Sequence, residues 1–181
     1  MTHSDITNIF KEMAIQHASL RHNPSESKNA FVRILYNPSS LFETKLYLEE
    51  FLEKNRNNLK FPCMLFFSTE NTYQYDRDQV ERKIFSGIFA IIGHKQRSFD
   101  NEQLEQMIDN TEVISEDVLA RLYHMMVNVN RCEYLDSPDE LYSHKIGPIM
   151  DDFYGTIMYY SFSQPIELFD TDRATDETIW L

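Results

Sequence analysis

Residues 82–94, RKIFSGIFAIIGH, carry the strongest β-strand pattern in the chain and decide its fold class. Alternation sorts the apolar side chains into two rows on opposite faces, with Ile84, Ile88, Ala90 and Ile92 in one row and Phe85, Phe89 and Ile91 in the other. Gly87 and Gly93 lie inside the same segment. Glycine inside a strand predicts either a bulge or a place where another part of the chain approaches the backbone closely.

Further strand patterns flank this segment on both sides. Phe61–Ser68 is apolar on both faces, which predicts a central or covered strand. Ile149–Phe162 alternates between two rows and predicts a long strand of an antiparallel sheet, with a bend at Gly155. Gln164–Phe169 is a candidate last strand, and the polar stretch Thr69–Arg77 predicts a hairpin or a loop.

The longest helical pattern runs over Asn101–Met126. Asp100 precedes it and is a suitable N-cap, because its carboxylate can accept a hydrogen bond from a free backbone N–H of the first turn. One apolar stripe continues along the whole segment and consists of Leu104, Met107, Ile108, Thr111, Ser115, Val118, Leu119, Leu122 and Met126. A helix of this length can brace a whole sheet face.

A second helical pattern occupies the N-terminal segment. It begins at Asp5, with Ser4 as its predicted N-cap, and its apolar positions continue to Leu20. The short β-branched and aromatic segment Phe31–Tyr36 follows and predicts a strand. A turn then leads into a third helical pattern at Leu41–Arg56.

Together these elements predict an α+β fold, in which an antiparallel β-sheet is braced by the long helix at about Asn101–Met126. An N-terminal helix and an extra strand–helix insert complete it. We expect a single domain over residues 1–169, with the insert at about residues 31–58. Residues 170–181, DTDRATDETIWL, are acidic and form a C-terminal tail that is a possible interaction arm.

The chain is strongly acidic. Its 181 residues include 29 Asp and Glu against 17 Lys and Arg, which gives a formal net charge of −12. Proteins bind nucleic acid and anionic membranes through clustered Lys and Arg, and the densest basic run here, His94–Arg97, has the pattern of a solvated strand end. We therefore expect neither specific nucleic-acid binding nor a membrane partner. The sequence also shows no transmembrane run and no signal-peptide pattern.

We find no catalytic, phosphate-binding or metal-binding motif in the sequence. The phosphate-binding patterns GxxxxGK[ST] and GxGxxG are missing, as is the nucleophile pattern GxSxG. The two cysteines, Cys63 and Cys132, lack metal-ligand spacing, and the six histidines are scattered. The acidic residues after Asp170 depart from a calcium loop, because Thr175 stands where that pattern needs glycine. We predict no catalytic, cofactor-binding or metal-binding residues, and no enzymatic activity.

The order of the predicted elements resembles that of small phage tail-completion and tail-terminator proteins. The residues that carry this resemblance are the strand patterns Phe61–Phe67 and Ile84–Ile92, the helix segment Glu112–Leu122, the strand Tyr154–Met158, the segment Gln164–Leu168, and Trp180 near the end. The resemblance covers most of the chain, from Ile6 to Trp180. The insert Phe31–Asn58 is a departure, since it adds a strand and a helix that the small members often lack.

The resemblance implies a non-enzymatic virion structural protein, made in the host cytoplasm. Its copies would form a ring in a phage head–tail connector or at a tail terminus. The implied partners are copies of the chain itself and neighbouring connector or tail proteins, and no cofactor is implied. Such a ring would line a DNA conduit without binding the DNA, because an acidic lumen repels phosphates.

Contacts between copies are expected from aromatic and apolar residues that lie in polar or acidic surroundings. The segments concerned are Thr69–Arg77, the connection Arg131–Pro148, and the tail with the residues just before it. The predicted interface residues are Tyr73, Tyr75, Tyr134, Phe169, Trp180 and Leu181.

Two other classes of protein stay open. A cytoplasmic acidic adaptor or regulatory binding module would have the same composition and the same lack of motifs, but it would be a monomer or a dimer rather than a closed ring. An enzyme of unrecognised type would need a pocket in which folding brings His94 or His124 next to a carboxylate.

Overall fold

The computed structural model describes residues 2–75, 81–129, 133–134 and 143–165. In chain order these residues form α1 (His3–Gln16), β1 (Asn29–Ile34), α2 (Leu41–Asn55), β2 (Leu59–Phe67), β3 (Glu70–Tyr75), β4 (Glu81–His94), α3 (Asn101–Tyr123), β5 (Glu133–Tyr134), β6 (Ser143–Ile149) and β7 (Phe153–Pro165). A 3-10 turn at Arg56–Asn58 follows α2, and a π-helical segment at His124–Val129 follows α3.

Two long antiparallel strands, β4 and β7, form the centre of the sheet. They pair from Arg82 opposite Pro165 to His94 opposite Phe153 without a shift in register. The outer edge of β4 is shared by β2 and β3, and the outer edge of β7 is shared by β6 and β5. β1 pairs with β2 and lies at one end of the strand order.

Apart from Ile84, which is only partly buried, the two apolar rows of β4 lie in two separate cores, as their alternation predicts. Phe85, Phe89 and Ile91 pack under α1 and α3, together with Phe10 of α1 and Val118 of α3. On the opposite face, Ile88, Ala90 and Ile92 pack with Leu48 and Leu52 of α2. The predicted α+β fold, with a long helix that braces the sheet, is confirmed.

One strand pair departs from the predicted antiparallel arrangement, because β1 and β2 run parallel. Two consecutive parallel strands need a crossover connection, and α2 supplies it. The residues predicted as an insert, 31–58, thus form the crossover and extend the sheet through β1. The predicted division into a domain over residues 1–169 and a tail over residues 170–181 stays a prediction, because the tail lies outside the described residues.

The helix α3 begins as predicted, with Asp100 as its N-cap. The Asp100 carboxylate accepts from the Gln103 backbone N–H at 2.8 Å, and the Gln103 side chain accepts from the Asp100 backbone N–H at 3.1 Å. This reciprocal pair is a capping box. The regular helix ends at Tyr123 rather than at the predicted Met126, and the π-helical segment carries Met126 into the core.

Other element boundaries also differ from their predictions. The helix α1 begins at His3 with Thr2 as N-cap, not after Ser4, because Thr2 and Asp5 form a second capping box. The predicted strand 149–162 is two strands: Ile149 ends β6, and β7 begins at Phe153. Met150 and Asp151 have φ angles of 48° and 68°, which turn the chain between them.

Glycine occurs in the central strands because other atoms approach the backbone closely there, not because the strands bulge. A Cβ on Gly87 would lie 2.7 Å from the Tyr160 hydroxyl oxygen, and one on Gly93 would lie 3.2 Å from Met107. The predicted bend at Gly155 is not evident in the pairing, since β4 and β7 keep their register through it. There a Cβ would collide with the carbonyl oxygen of Ile91.

Candidate functional site

The most exposed apolar side chains lie where β1 leads into α2. Leu35 is 77% exposed and Phe42 is 75% exposed, and Tyr36 and Leu46 are exposed as well. We call these four residues the β1–α2 patch. The four lie within one short stretch of the chain, and exposed apolar patches often mark contacts with other molecules.

The first turn of α2 holds the patch in place. Ser40 is the N-cap, and its hydroxyl accepts from the Glu43 backbone N–H at 3.2 Å. The Glu43 carboxylate accepts from the Ser39 hydroxyl at 2.7 Å and from the Ser39 backbone N–H at 2.8 Å. These hydrogen bonds hold the pKa of the Glu43 carboxyl below its ordinary value. The turn that carries Phe42 is therefore well ordered.

The patch is separate from the apolar face that α2 buries. Phe42 and Leu46 are four residues apart and share one side of the helix, whereas Leu48 and Leu52 point into the core. Tyr36 stacks on Tyr47 with ring centroids 4.8 Å apart. The helix thus has one buried and one exposed apolar side.

An unpaired strand edge and a cavity adjoin the patch. In the part of the chain that the structure describes, β1 pairs only with β2, so its other edge is free. A cavity of about 430 Å³ lies between the loop that contains Ser39 and the sheet residues Ser86, Tyr159 and Ser161. Burial raises the pKa of the Tyr159 hydroxyl.

The structure describes only some of the predicted interface residues. Tyr73 lies on β3 and is 53% exposed, and the Lys83 ammonium is 5.9 Å from the centre of its ring. Tyr75 and Tyr134 lie opposite Glu81 and Phe162 in the sheet, but their side chains are not among the described ones. Their roles stay predictions, as do those of Phe169, Trp180 and Leu181, which lie outside the described residues.

The histidines lie in different parts of the described fold. His17 Nε2 is 3.4 Å from an Asp117 carboxylate oxygen, beside a cavity of about 230 Å³ between α1 and α3. The His94 ring stacks on Phe153, and His124 Nδ1 is 3.1 Å from the Asn128 amide nitrogen. Neither His94 nor His124 has a carboxylate within ion-pair distance among the described residues. No three His, Cys, Asp or Glu side chains in those ranges are placed to share a metal ion.

Cys63 is a buried thiol in the core under α2, as predicted from its apolar surroundings. Burial raises the pKa of this thiol well above its ordinary value, so it is protonated and unreactive. Cys132 lies outside the described residues. None of the described helices is long and apolar enough to cross a membrane.

Sequence reasoning missed a second site at one end of the sheet. Lys28, Arg56, Lys95 and Arg97 line a cavity of about 390 Å³, although no run of the chain is strongly basic. The residues His94–Arg97, predicted to be a solvated strand end, are half of this basic group. We call the cavity the sheet-end pocket.

The comparisons with known proteins do not identify a family. No protein-family model matches the chain, and no curated protein matches its sequence. The resemblance to tail-completion and tail-terminator proteins therefore supports a proposal about function and does not establish a family.

Proposed function

We propose that the protein is a self-associating virion structural protein, a ring-forming component of a phage head–tail connector or tail terminus. The observation that carries the proposal is the β1–α2 patch, in which Leu35 is 77% and Phe42 75% exposed, near a β1 edge that is unpaired in the described part of the chain. Its occupant in the proposal is a second copy of the chain. The order of elements that resembles tail-terminator proteins supports this choice of occupant.

A ring needs a head-to-tail contact, in which one surface of each copy meets a different surface of the next. The β1–α2 patch is one such surface, and it has both components of a strand-edge contact: free backbone hydrogen-bonding groups and apolar side chains beside them. Tyr73 of β3 and the residues of the acidic tail are proposed for the complementary surface. Neighbouring connector or tail proteins would bind the two flat sides of the ring.

The charge of the chain supports the same role. In this proposal the acidic side chains that give each copy a net charge of −12 line the lumen, where they repel DNA phosphates and leave the conduit open. In this proposal the chain has no enzymatic activity. Its place of work is the virion, after synthesis in the host cytoplasm.

The test is the mass of the purified protein over a series of concentrations. Wild-type protein should form a closed oligomer, and Phe42→Glu should shift it to the monomer, because a charge would be buried in the contact. Val113→Glu is the matched control, since Val113 is 52% exposed on α3 and lies on the opposite side of the sheet. It should leave the oligomer unchanged.

Two outcomes would contradict the ring. If the wild-type protein stays a monomer at all concentrations and fails to join virions, the adaptor interpretation replaces the proposal. If Phe42→Glu and Val113→Glu both leave a stable oligomer, the patch is not the contact. A chain that lacks residues 170–181 then tests whether the predicted tail residues carry the contact instead.

A further inference from the structure

The sheet-end pocket brings together residues that are far apart in the sequence. Lys28 precedes β1, Arg56 lies in the turn before β2, and Lys95 and Arg97 follow β4. The pairing of the strands explains the convergence, because Asn29 lies opposite Leu59 and His94 lies opposite Phe153. All four cationic residues therefore meet at the same end of the sheet.

The charge of this pocket is opposite to that of the whole protein. Four of its lining side chains are cationic, and Asp152 is the single carboxylate among them. The backbone carbonyl of Asp152 accepts from the Lys95 N–H at 2.7 Å, which fixes the loop after β4.

The four cations are also free of ion pairs with the rest of the described chain. Other basic residues differ: Lys60 pairs with Glu26 at 3.0 Å, and Lys145 lies 3.1 Å from Asp109 and 2.9 Å from Glu112. None of the four pocket cations has a carboxylate within 4.0 Å among the described residues. Their charge is therefore available to an anion that enters the cavity.

One wall of the pocket is aromatic. The rings of Phe61, His94 and Phe153 form a triangle with centroid distances of 5.4, 4.8 and 5.3 Å. Phe153 is fully buried and forms the floor, while the exposed His94 ring stacks on it at an angle of 28°. The outer surface of His94 is therefore a supported platform for a planar ring.

We propose that the sheet-end pocket binds a nucleoside phosphate, with the phosphate among Arg56, Arg97, Lys28 and Lys95 and the base against His94. Guanidinium groups bind phosphate oxygens with two parallel hydrogen bonds, and lysine adds a mobile point charge. Four cations exceed what one carboxylate neutralises, and they suit a group that carries two or three negative charges. The cavity of about 390 Å³ has the size of a small-ligand site. This inference does not depend on the proposed ring.

The same chemistry is present in a free nucleotide and in a single nucleic-acid strand. Binding should therefore be measured by titration calorimetry with ADP, with adenosine, with ribose 5-phosphate and with a thymidine decamer. ADP should bind saturably and more weakly as salt is added, because ions screen the pocket charge. Ribose 5-phosphate should bind more weakly than ADP, and adenosine weakest of all.

Variants assign the binding to the pocket. Arg56→Glu and Arg97→Glu should each weaken ADP binding by about tenfold or more, since each reverses a charge beside the phosphate. Arg121→Glu is the matched control, because Arg121 is an exposed arginine near the far end of α3, and it should leave binding unchanged. His94→Ala should weaken ADP severalfold and leave ribose 5-phosphate unaffected. Far-UV circular dichroism verifies that each variant is folded.

Each outcome decides the proposal. Pocket-dependent binding of ADP supports a free nucleotide, and pocket-dependent binding of the decamer alone supports a strand. The proposal is overturned if neither ADP nor the thymidine decamer binds saturably at about 1 mM. It is also overturned if Arg121→Glu weakens ADP binding as much as Arg97→Glu does. A third result would also overturn the proposal: a synthetic peptide of residues 170–181 binds, and neither ADP nor the decamer does. The pocket would then be a contact site for protein.

Discussion

The two faces of the sheet are covered in different ways. Under α1 and α3, aromatic rings pack directly on one another: Phe10 lies 4.3 Å from Phe66 and 5.3 Å from both Phe89 and Tyr160, measured between ring centroids. The opposite face is covered by α2, which leaves Phe42 exposed, and a cavity opens beside Tyr159. Both faces hold a buried core, but the helix over the second face carries the most exposed of the described aromatic side chains, Phe42, on its outer side, where a partner can bind.

The sharpest test of this difference compares two phenylalanines on two helices. Phe10→Ala should lower the free energy of unfolding by about 4 kcal/mol, because it leaves a cavity among Phe66, Phe89 and Tyr160. Phe42→Ala should change it by less than about 0.5 kcal/mol in the monomer, since the side chain is mostly in water already. Urea unfolding followed by circular dichroism measures both. Equal losses for the two variants would mean that Phe42 is packed against the protein rather than exposed to water.

Buried hydroxyl groups offer a second, smaller test. The Thr111 hydroxyl donates to the Ile108 carbonyl at 2.7 Å and lies 3.1 Å from the Thr156 hydroxyl, and both side chains are buried between α3 and β7. Thr111→Val should cost about 1–2 kcal/mol, because the Thr156 hydroxyl loses its partner. The double variant Thr111→Val/Thr156→Val should recover part of the loss.

Ser86 is the control for this test on the other face. It lines the open cavity beside Tyr159, where solvent can replace a lost hydroxyl. Ser86→Ala should therefore change the free energy of unfolding by less than about 0.5 kcal/mol. If Ser86→Ala costs as much as Thr111→Val, the sheet face beside the cavity is packed there as tightly as the face under α1 and α3.

The smallest expected effect is a pH dependence of the free energy of unfolding, caused by His22 at the edge of the core under α1 and α3. His22 is buried beside Phe31, and its Nδ1 atom has no hydrogen-bond partner among the residues that the structure describes. Burial, and then the charge of Lys11, lower the pKa of His22 below its ordinary value of 6.5. As the pH falls through 6.5, the unfolded chain binds the proton first, so the stability that neutral His22 contributes is complete above this pH and is lost below it.

Thermal unfolding between pH 5 and pH 7.5 measures this dependence. His22→Phe should reduce the loss of stability on acidification. Part of the dependence should persist, because burial and Arg33 also lower the pKa of His3. A variant with the same pH profile as the wild-type protein would show that the His22 ring is charged in the folded state as readily as in the unfolded chain.

Local patterns in the sequence predict the helices and the long strands well. Phe89 and Ile91 alternate with Ala90 and Ile92, and this alternation is enough to assign each to its core. Asp100 marks the start of α3 because capping depends on neighbours only three residues away. The strand β6, SHKIGPI, escapes prediction since it is largely polar and contains Gly147 and Pro148.

Properties that depend on pairing between distant segments are not predictable in this way. The parallel direction of β1 and β2 follows from the crossover through α2, which no local pattern specifies. Lys28 and Arg56 join Lys95 in one pocket only because three strands end at the same place. Phe42 and Leu46 resemble core residues by composition, and only their spacing relative to Leu48 and Leu52 separates them from the buried side of α2.

The central pairing of β4 with β7 has a consequence for how the chain folds during synthesis. β7 is the last described strand, so β4 emerges from the ribosome long before its longest partner. Until Phe153–Pro165 has been translated, one whole edge of β4 has no strand beside it, and the apolar rows of Phe89 and Ile92 lack their neighbours on β7. Such a high contact order slows folding. An incomplete chain with this edge exposed is prone to aggregation, so messages truncated before β7 should yield insoluble product.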